Sequence, residues 1–234
     1  MVWDGFGRVD PWEDDWHHPH MRYGESHKEQ TRLRVLSEAA AAIRAKGAER
    51  VSVAEVMAAA GLTHGGFYAH FDSKDEMVAQ AITHMFDVMH GRFLSLTEGR
   101  EPAAAIASYV DNYLSPSHRL ERASGCPVAT LSGDLPNLSD RARERFTEGT
   151  ERWAAALAKL AEKLGAKHKD AEAIAWSAVA EMAGALALSR TVSDKRAAAI
   201  LRNSRAIVKA RLGVAARADE TKGPKSAGFP SIRR

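Results

Sequence analysis

The sequence holds a single cysteine, Cys126. One thiol excludes an internal disulfide framework and any zinc site built from cysteine pairs, and it suits a reducing, cytoplasmic compartment. Aromatic residues are scarce at 7%. Val, Ile, Tyr and Phe are thinly spread against abundant alanine, a balance that favours helices over sheets. No stretch alternates apolar and polar residues as a half-buried strand would, and no internal repeat appears. The longest apolar run, 173–189, contains Glu181 and falls short of the roughly 20 residues a membrane span needs. No membrane partner is therefore expected. The acidic, Trp-rich N-terminus is unlike a signal peptide. There is no HExxH, Walker A, GxSxG or Gly-rich dinucleotide motif, so no cofactor or metal is expected.

The formal net charge is +3, but it is unevenly distributed. Residues 1–20 carry −4, residues 21–90 carry −1, residues 91–200 carry +1 and residues 201–234 carry +7. The high pI comes from the tail. Any nucleic-acid reading must rest on local placement of donors rather than on overall charge.

Four segments follow. Residues 1–22 show no helical or strand period and carry the run His17-His18-Pro19-His20. They read as a flexible extension, with adventitious metal binding as the sharper alternative and Met21 as an alternative start. Residues 23–74 read as a helical domain, 75–213 as a larger helical domain, and 214–234 as a disordered basic tail broken at Gly223-Pro224 and Pro230. The expected fold is all-α. Apolar stripes at i, i+3, i+4, i+7 spacing run through Leu33, Leu36, Ala40 and Ile43; Val53, Val56, Met57 and Ala60; and Val78, Ile82, Met85, Phe86, Met89 and Phe93. Two more run from Ile174 to Leu186 and from Ile200 to Val208. Ser26-x-x-Glu29, Ser52-x-x-Glu55 and Ser73-x-x-Glu76 each match a capping box at an expected helix start.

The stretch 50–74, RVSVAEVMAAAGLTHGGFYAHFDSK, carries the function. It predicts a short capped helix from Ser52 to Ala60, a turn at Gly61 and a second short helix from Thr63. Two short helices across a tight Gly turn form a helix-turn-helix, whose second helix enters the DNA major groove. With Leu62, Phe67 and Phe71 turned to the core, Thr63, His64, Gly66, Tyr68 and His70 are left outside. Small residues at Gly65 and Gly66 let the backbone approach DNA. Glycine inside a helix costs about 1 kcal/mol relative to alanine, a penalty that a purely structural corner has no use for. Lys74 opens the next helix, where its charge and the terminal amides suit a phosphate.

The segment resembles the N-terminal domain of the TetR/AcrR family of bacterial transcriptional regulators. The match runs from Thr31-Arg32 through Gly47, Val51-Ser52-Val53-Ala54-Glu55-Val56, Ala60-Gly61-Leu62, Gly65, Phe67-Tyr68-x-His70-Phe71 and Ser73-Lys74. The resemblance implies an N-terminal helix-turn-helix DNA-binding domain followed by a larger helical ligand-binding and dimerisation domain. It implies that Ser52, Tyr68, His70 and Lys74 hold phosphates, and that Thr63 and His64 open the recognition helix, with His64 a base-contact candidate. Position 66 commonly carries Thr or Ser in the family; here it is Gly66. The recognition helix also has no Arg or Lys, the commonest readers of guanine.

The resemblance further implies a homodimer through the last two helices, where Ala180-x-x-x-Gly184 permits close packing; an intramolecular core is the alternative. Partners would be double-stranded operator DNA and a small-molecule effector. Candidate lining residues for the effector are Met85, Phe86, Met89, Phe93, Tyr109, Tyr113, Trp153 and Trp176, set against plain core packing. Cys126, in Ser124-Gly125-Cys126-Pro127 at a helix start, is either a thiol switch or a packed core residue, and a helix start with Arg119 and Arg122 nearby would lower its pKa. The function expected is a ligand-responsive repressor. The alternatives are an all-α enzyme with Cys126 as nucleophile and His118 as base, or a helix-turn-helix interaction module that does not bind DNA.

Overall fold

The computed structural model describes residues 19–214, with side chains from residue 27 onward. His17 and His18 of the N-terminal run and the basic tail beyond residue 214 lie outside the described residues, whereas residues 19–22, read from sequence as part of an unpatterned extension, already belong to the first helix. Among the described residues the chain forms nine α-helices, no strand and two short 3-10 segments. The helices are α1 (Pro19–Lys46), α2 (Val53–Ala59), α3 (Lys74–Thr97), α4 (Pro102–Tyr113), α5 (Pro116–Leu120), α6 (Pro127–Leu131), α7 (Asp140–Lys163), α8 (His168–Ser189) and α9 (Asp194–Arg211). The 3-10 segments are His64–Ala69 and Leu135–Asn137.

Two of the three expected capping boxes mark helix starts. Ser52 Oγ accepts from the Glu55 amide at 3.1 Å, and Glu55 Oε2 accepts from the Ser52 amide at 3.4 Å. Ser73 Oγ accepts from the Glu76 amide at 3.0 Å, but the returning Glu76 carboxylate takes the Asp72 amide instead, at 2.7 Å. Ser26 marks no start, because α1 already runs through it from Pro19. A Ser-x-x-Glu spacing recurs by chance in a polar helix, and backbone amides that already have partners one turn back need no cap. The phase of α1 also differs by a fraction of a turn. Leu33 is exposed, and the buried face runs through Thr31, Val35, Leu36, Ala39, Ala40, Ile43 and Arg44.

Two hydrophobic cores share α3 as their common wall. The first joins α1, α2 and the N-terminal half of α3, through Val35, Ile43, Val56, Met57, Phe67, Phe71 and Ile82, to Leu131, Leu138 and Phe146. The second gathers Phe93, Tyr109, Tyr113, Cys126, Trp153 and Leu157 with the inner faces of α8 and α9. Met89 packs against both. A helix that serves two cores needs apolar residues along its whole length, and α3 buries Met77, Val78, Ile82, Met85, Phe86 and Phe93 along it. Beside Phe86, α7 comes so close that a methyl group on Gly149 would collide with the ring. Smallness at 149 is a packing requirement.

By length and composition α8 is long and apolar enough to cross a bilayer, contrary to the sequence expectation, because the helix starts at His168 rather than at residue 173. It packs between α7 and α9, and its inner face, through Ala175, Ala178, Val179, Met182 and Leu186, lies in the second core. That is the behaviour of a core helix.

Candidate nucleic-acid interface

The turn between α2 and the segment that follows is built by one glycine. Gly61 has φ +70°, where an L side chain is strained. Its amide donates to the Ala58 carbonyl at 3.0 Å and the Leu62 amide to the Met57 carbonyl at 2.8 Å. This paired arrangement closes a helix C-terminus and reverses the chain. Phe67 and Phe71 then lock the second arm from beneath, their rings stacked at 5.5 Å. The second arm is a 3-10 turn over His64–Ala69 rather than the expected α-helix. Two consecutive glycines contribute little helix propensity, and six residues are too few to offset a helix nucleus. Short i to i+3 bonds take over, from the Gly66 amide to Thr63 and the His70 amide to Phe67.

The outer surface of this arm carries Thr63, His64, Gly65 and Tyr68, all exposed, with Gly66 and His70 half-buried. Tyr68 is 71% exposed and braced edge-on by Phe67 at 5.2 Å. The two glycines are informative. Neither has a positive φ. A side-chain methyl would meet nothing within 4 Å at position 65, and only ordinary contacts at 3.7 and 3.9 Å at position 66. Nothing among the described residues demands glycine at either place.

The phosphate candidates differ in readiness. Ser52 accepts from Glu55 through Oγ but keeps its own hydroxyl hydrogen to donate outward. Lys74 is partly committed, since its ammonium donates to the Glu49 carbonyl at 2.9 Å and ties α3 to the turn before α2. His70 Nδ1 is buried without a partner. Burial, then the charges of Lys28 and Arg32, push its pKa down, so the ring presents as neutral imidazole.

The effector candidates separate. Tyr109, Tyr113, Cys126 and Trp153 converge in one core. Tyr113 stacks on Trp153 at 5.2 Å and lies 6.1 Å from Tyr109, which meets Phe93 edge-on at 4.8 Å. Within this cluster the Tyr109 hydroxyl, the Tyr113 hydroxyl and the Trp153 indole N–H are all buried, and none makes a hydrogen bond of full geometry, although Tyr109 lies beside Trp153 and Tyr113 beside the Cys126 thiol. Phe86 lies in the other core, edge-on to Phe146. Met89 sits at the boundary between the cores. Trp176 faces outward on α8, 40% exposed and apart from the cluster.

Cys126 departs from the sequence expectation. Burial pushes its thiol pKa up, outweighing the Tyr113 hydroxyl, the α6 amides and Arg44, which pull it down. The five residues of α6 offer too weak a dipole to overcome desolvation. Arg119 is engaged elsewhere, on the Ser189 carbonyl and Asp194. His118, the base that a nucleophilic Cys126 would require, is spent on the backbone. Its Nδ1 donates to the Tyr113 carbonyl at 2.6 Å, so Nε2 accepts from the Cys126 amide at 3.1 Å. Neither nitrogen is left to take the thiol proton.

Two family models match the chain. Residues 35–81 match the tetR family of bacterial regulatory proteins, and residues 102–203 match the C-terminal domain of LmrA/YxaF-like transcriptional regulators. The chain belongs to the TetR family. Among curated relatives, it is 29% identical over 123 residues to the HTH-type transcriptional repressor KstR2 of Rhodococcus jostii, covering 52% of this chain and 57% of that protein. The chain thus spans little more than half of that relative's length. It is 22% identical to the uncharacterised HTH-type regulator YxaF of Bacillus subtilis, over 70% of this chain and 87% of that one. The fold is shared with reduced NemR of E. coli (TM-score 0.65, 22% identity, 77% of this chain and 96% of that one). It is also shared with a TetR-family regulator of Cytophaga hutchinsonii (TM-score 0.68, 18% identity, 80% and 94%).

The sequence reading missed Arg44. It occupies the buried face of α1, one turn beyond Ala40, and is itself buried. The signal was present, because a charged residue in register with an apolar stripe must find a partner inside.

Proposed function

We propose that this TetR-family protein is a cytoplasmic transcriptional repressor that binds a palindromic operator as a homodimer and is released by a small-molecule effector. One observation carries the DNA reading. Gly65 and Gly66 lie on an exposed arm where no internal contact requires them, flanked by Thr63, His64 and Tyr68. Their smallness serves an outside surface that comes against the backbone. Thr63 and His64 face the bases, while Ser52, Tyr68, His70 and Lys74 hold phosphates. The dimer reading draws support from an uncovered apolar stripe on α8, through Trp176, Ala180, Gly184 and Leu188, with Ile207 on α9. A methyl at Gly184 would meet nothing within 4 Å, which leaves room for a second helix.

The effector reading draws support from the Tyr109, Tyr113 and Trp153 cluster. Three buried donors without well-formed hydrogen bonds suit a flat apolar ligand that carries acceptor oxygens or nitrogens. The burial that raises the Cys126 pKa disfavours a thiolate signal. Because α3 carries Lys74 at one end and Phe93 beside the cluster at the other, a ligand there would shift the DNA-binding arm through one rigid element. The coupling is reciprocal, so operator DNA weakens effector binding by the same factor.

Fluorescence anisotropy with labelled DNA from upstream of its own gene, across a salt series, tests the DNA reading. Affinity falls steeply as salt rises. Tyr68→Ala weakens binding to every sequence, whereas His64→Ala changes sequence preference. Binding that ignores salt and both substitutions would overturn it.

A further inference from the structure

A cleft of about 370 Å³ opens between the end of α1 and the segment joining α5 to α7. It belongs neither to the DNA-facing arm nor to the aromatic cluster, and its size is within the range of small-molecule sites. Arg44 and Arg50 line one wall, with Arg122, Asp134 and Asn137 on the other.

Arg44 is the unusual member. It is 94% buried, its Nη1 donates to the Ala123 carbonyl at 3.1 Å, and its Nε has no partner. Among the described residues no carboxylate lies within ion-pair distance of it. Burial lowers its pKa to about 10, which still leaves it a cation at neutral pH. Buried charges are ordinarily paired, because an unpaired one is costly to desolvate. Arg50 and Arg122 place two further exposed guanidinium groups on the cleft, neither with a side-chain partner among the described residues. Lys46, on the same wall, is paired with Glu55 at 2.5 Å. Glu49 and Asp134 supply the opposing negative charge, which leaves the lining with a cationic surplus around an arginine that has no counter-ion.

We propose that this cleft is a second small-molecule site, for a metabolite bearing one compact oxyanion, a carboxylate or a phosphate group, held by Arg44 with Arg122 and Arg50. Guanidinium forks match both groups bidentately. The Asn137 amide and the Asp134 carboxylate are placed to meet polar groups on the rest of the ligand. One wall belongs to the helix that braces the DNA-binding arm and the other to the stretch leading to Cys126, so a bound anion touches both.

Thermal unfolding of the full chain in sodium phosphate, sodium acetate and sodium chloride at matched ionic strength tests the site. An anion that binds only the folded protein raises Tm along a saturating curve. Non-specific stabilisation by phosphate rises without saturating and is common to all variants. In the wild type, phosphate or acetate gives a saturating rise over chloride, and whichever does so identifies the head group. Arg122→Ala, at an exposed position that leaves folding intact, weakens the apparent affinity about tenfold, and Arg44→Gln removes the saturating response. Lys159→Ala, at an exposed cation on α7 outside the cleft, leaves it unchanged. The proposal is overturned if both anions track chloride in the wild type, or if the response survives in Arg122→Ala. DNA affinity measured in chloride alone is independent of this result, so either reading can fail without the other.

Discussion

Gly65→Ala separates a requirement of folding from a requirement of DNA binding. Position 65 has an ordinary negative-φ backbone, and a methyl there meets no atom within 4 Å. The substitution therefore costs nothing in packing. It removes backbone freedom from the unfolded chain, worth about 0.4–1 kcal/mol at a compatible site, and it adds helix propensity of up to about 1 kcal/mol. A net stabilisation of about 0.5–1 kcal/mol corresponds to a Tm rise of roughly 1–4 °C for a chain of this size. The same methyl occupies the surface proposed to face the duplex. Forcing the backbone away from DNA at this one point should cost about 1.4 kcal/mol or more, a tenfold loss of affinity. Differential scanning fluorimetry and anisotropy on the same sample read both effects. A lowered Tm would show that glycine is needed inside the protein. Unchanged DNA affinity would show that the arm does not approach a duplex, and either result refutes the reasoning.

Other substitutions probe the remaining parts. Gly149→Ala drives a methyl into the Phe86 ring and should destabilise by about 1–3 kcal/mol through overpacking, read by urea unfolding. Ser52→Ala removes both the cap on α2 and a proposed phosphate donor. It should lower stability by about 1 kcal/mol and weaken DNA binding further than that loss explains, as unfolding and anisotropy together would show. Tyr113→Phe deletes a buried hydroxyl that makes no hydrogen bond of full geometry and has the weakly accepting Cys126 thiol beside it, so stability should hold or rise by about 1 kcal/mol while effector response is lost; a fall in Tm would mean the hydroxyl is satisfied internally. His118 titrates below its usual value, chiefly through burial. The unfolded chain therefore binds its proton first as pH falls. The stability contributed by neutral His118 is complete above about pH 6.5 and declines below it until the folded-state pKa is reached. Protonation would also cost Nε2 its bond from the Cys126 amide. His118→Gln should flatten the stability profile over that window, measured by urea unfolding at several pH values.

Local chemistry was legible wherever a residue's role depends on its neighbours in sequence. The Ser52 cap, the Gly61 reversal and the inward Phe67 and Phe71 all follow from spacing within 20 residues, and each stands where the pattern put it. The 3-10 geometry of the second arm did not, because the choice between i+3 and i+4 bonding turns on small differences in a short, glycine-containing segment. Among the effector candidates, helical period marked inward-facing side chains but could not say which core each enters. Phe86 and Tyr109 satisfy the same pattern and sit in different cores.

The amino-acid order by itself determined an all-α chain, a helix-turn-helix at 52–71 and its exposed polar edge, since capping, turn formation and amphipathic period are properties of contiguous residues. Only the tertiary structure decided that Tyr109, Tyr113 and Trp153 bring three buried donors together, that the Cys126 thiol pKa is raised rather than lowered, and that Arg44 is buried with no counter-ion among the described residues. Desolvation and pairing are set by what arrives from distant helices, and no local spacing encodes them.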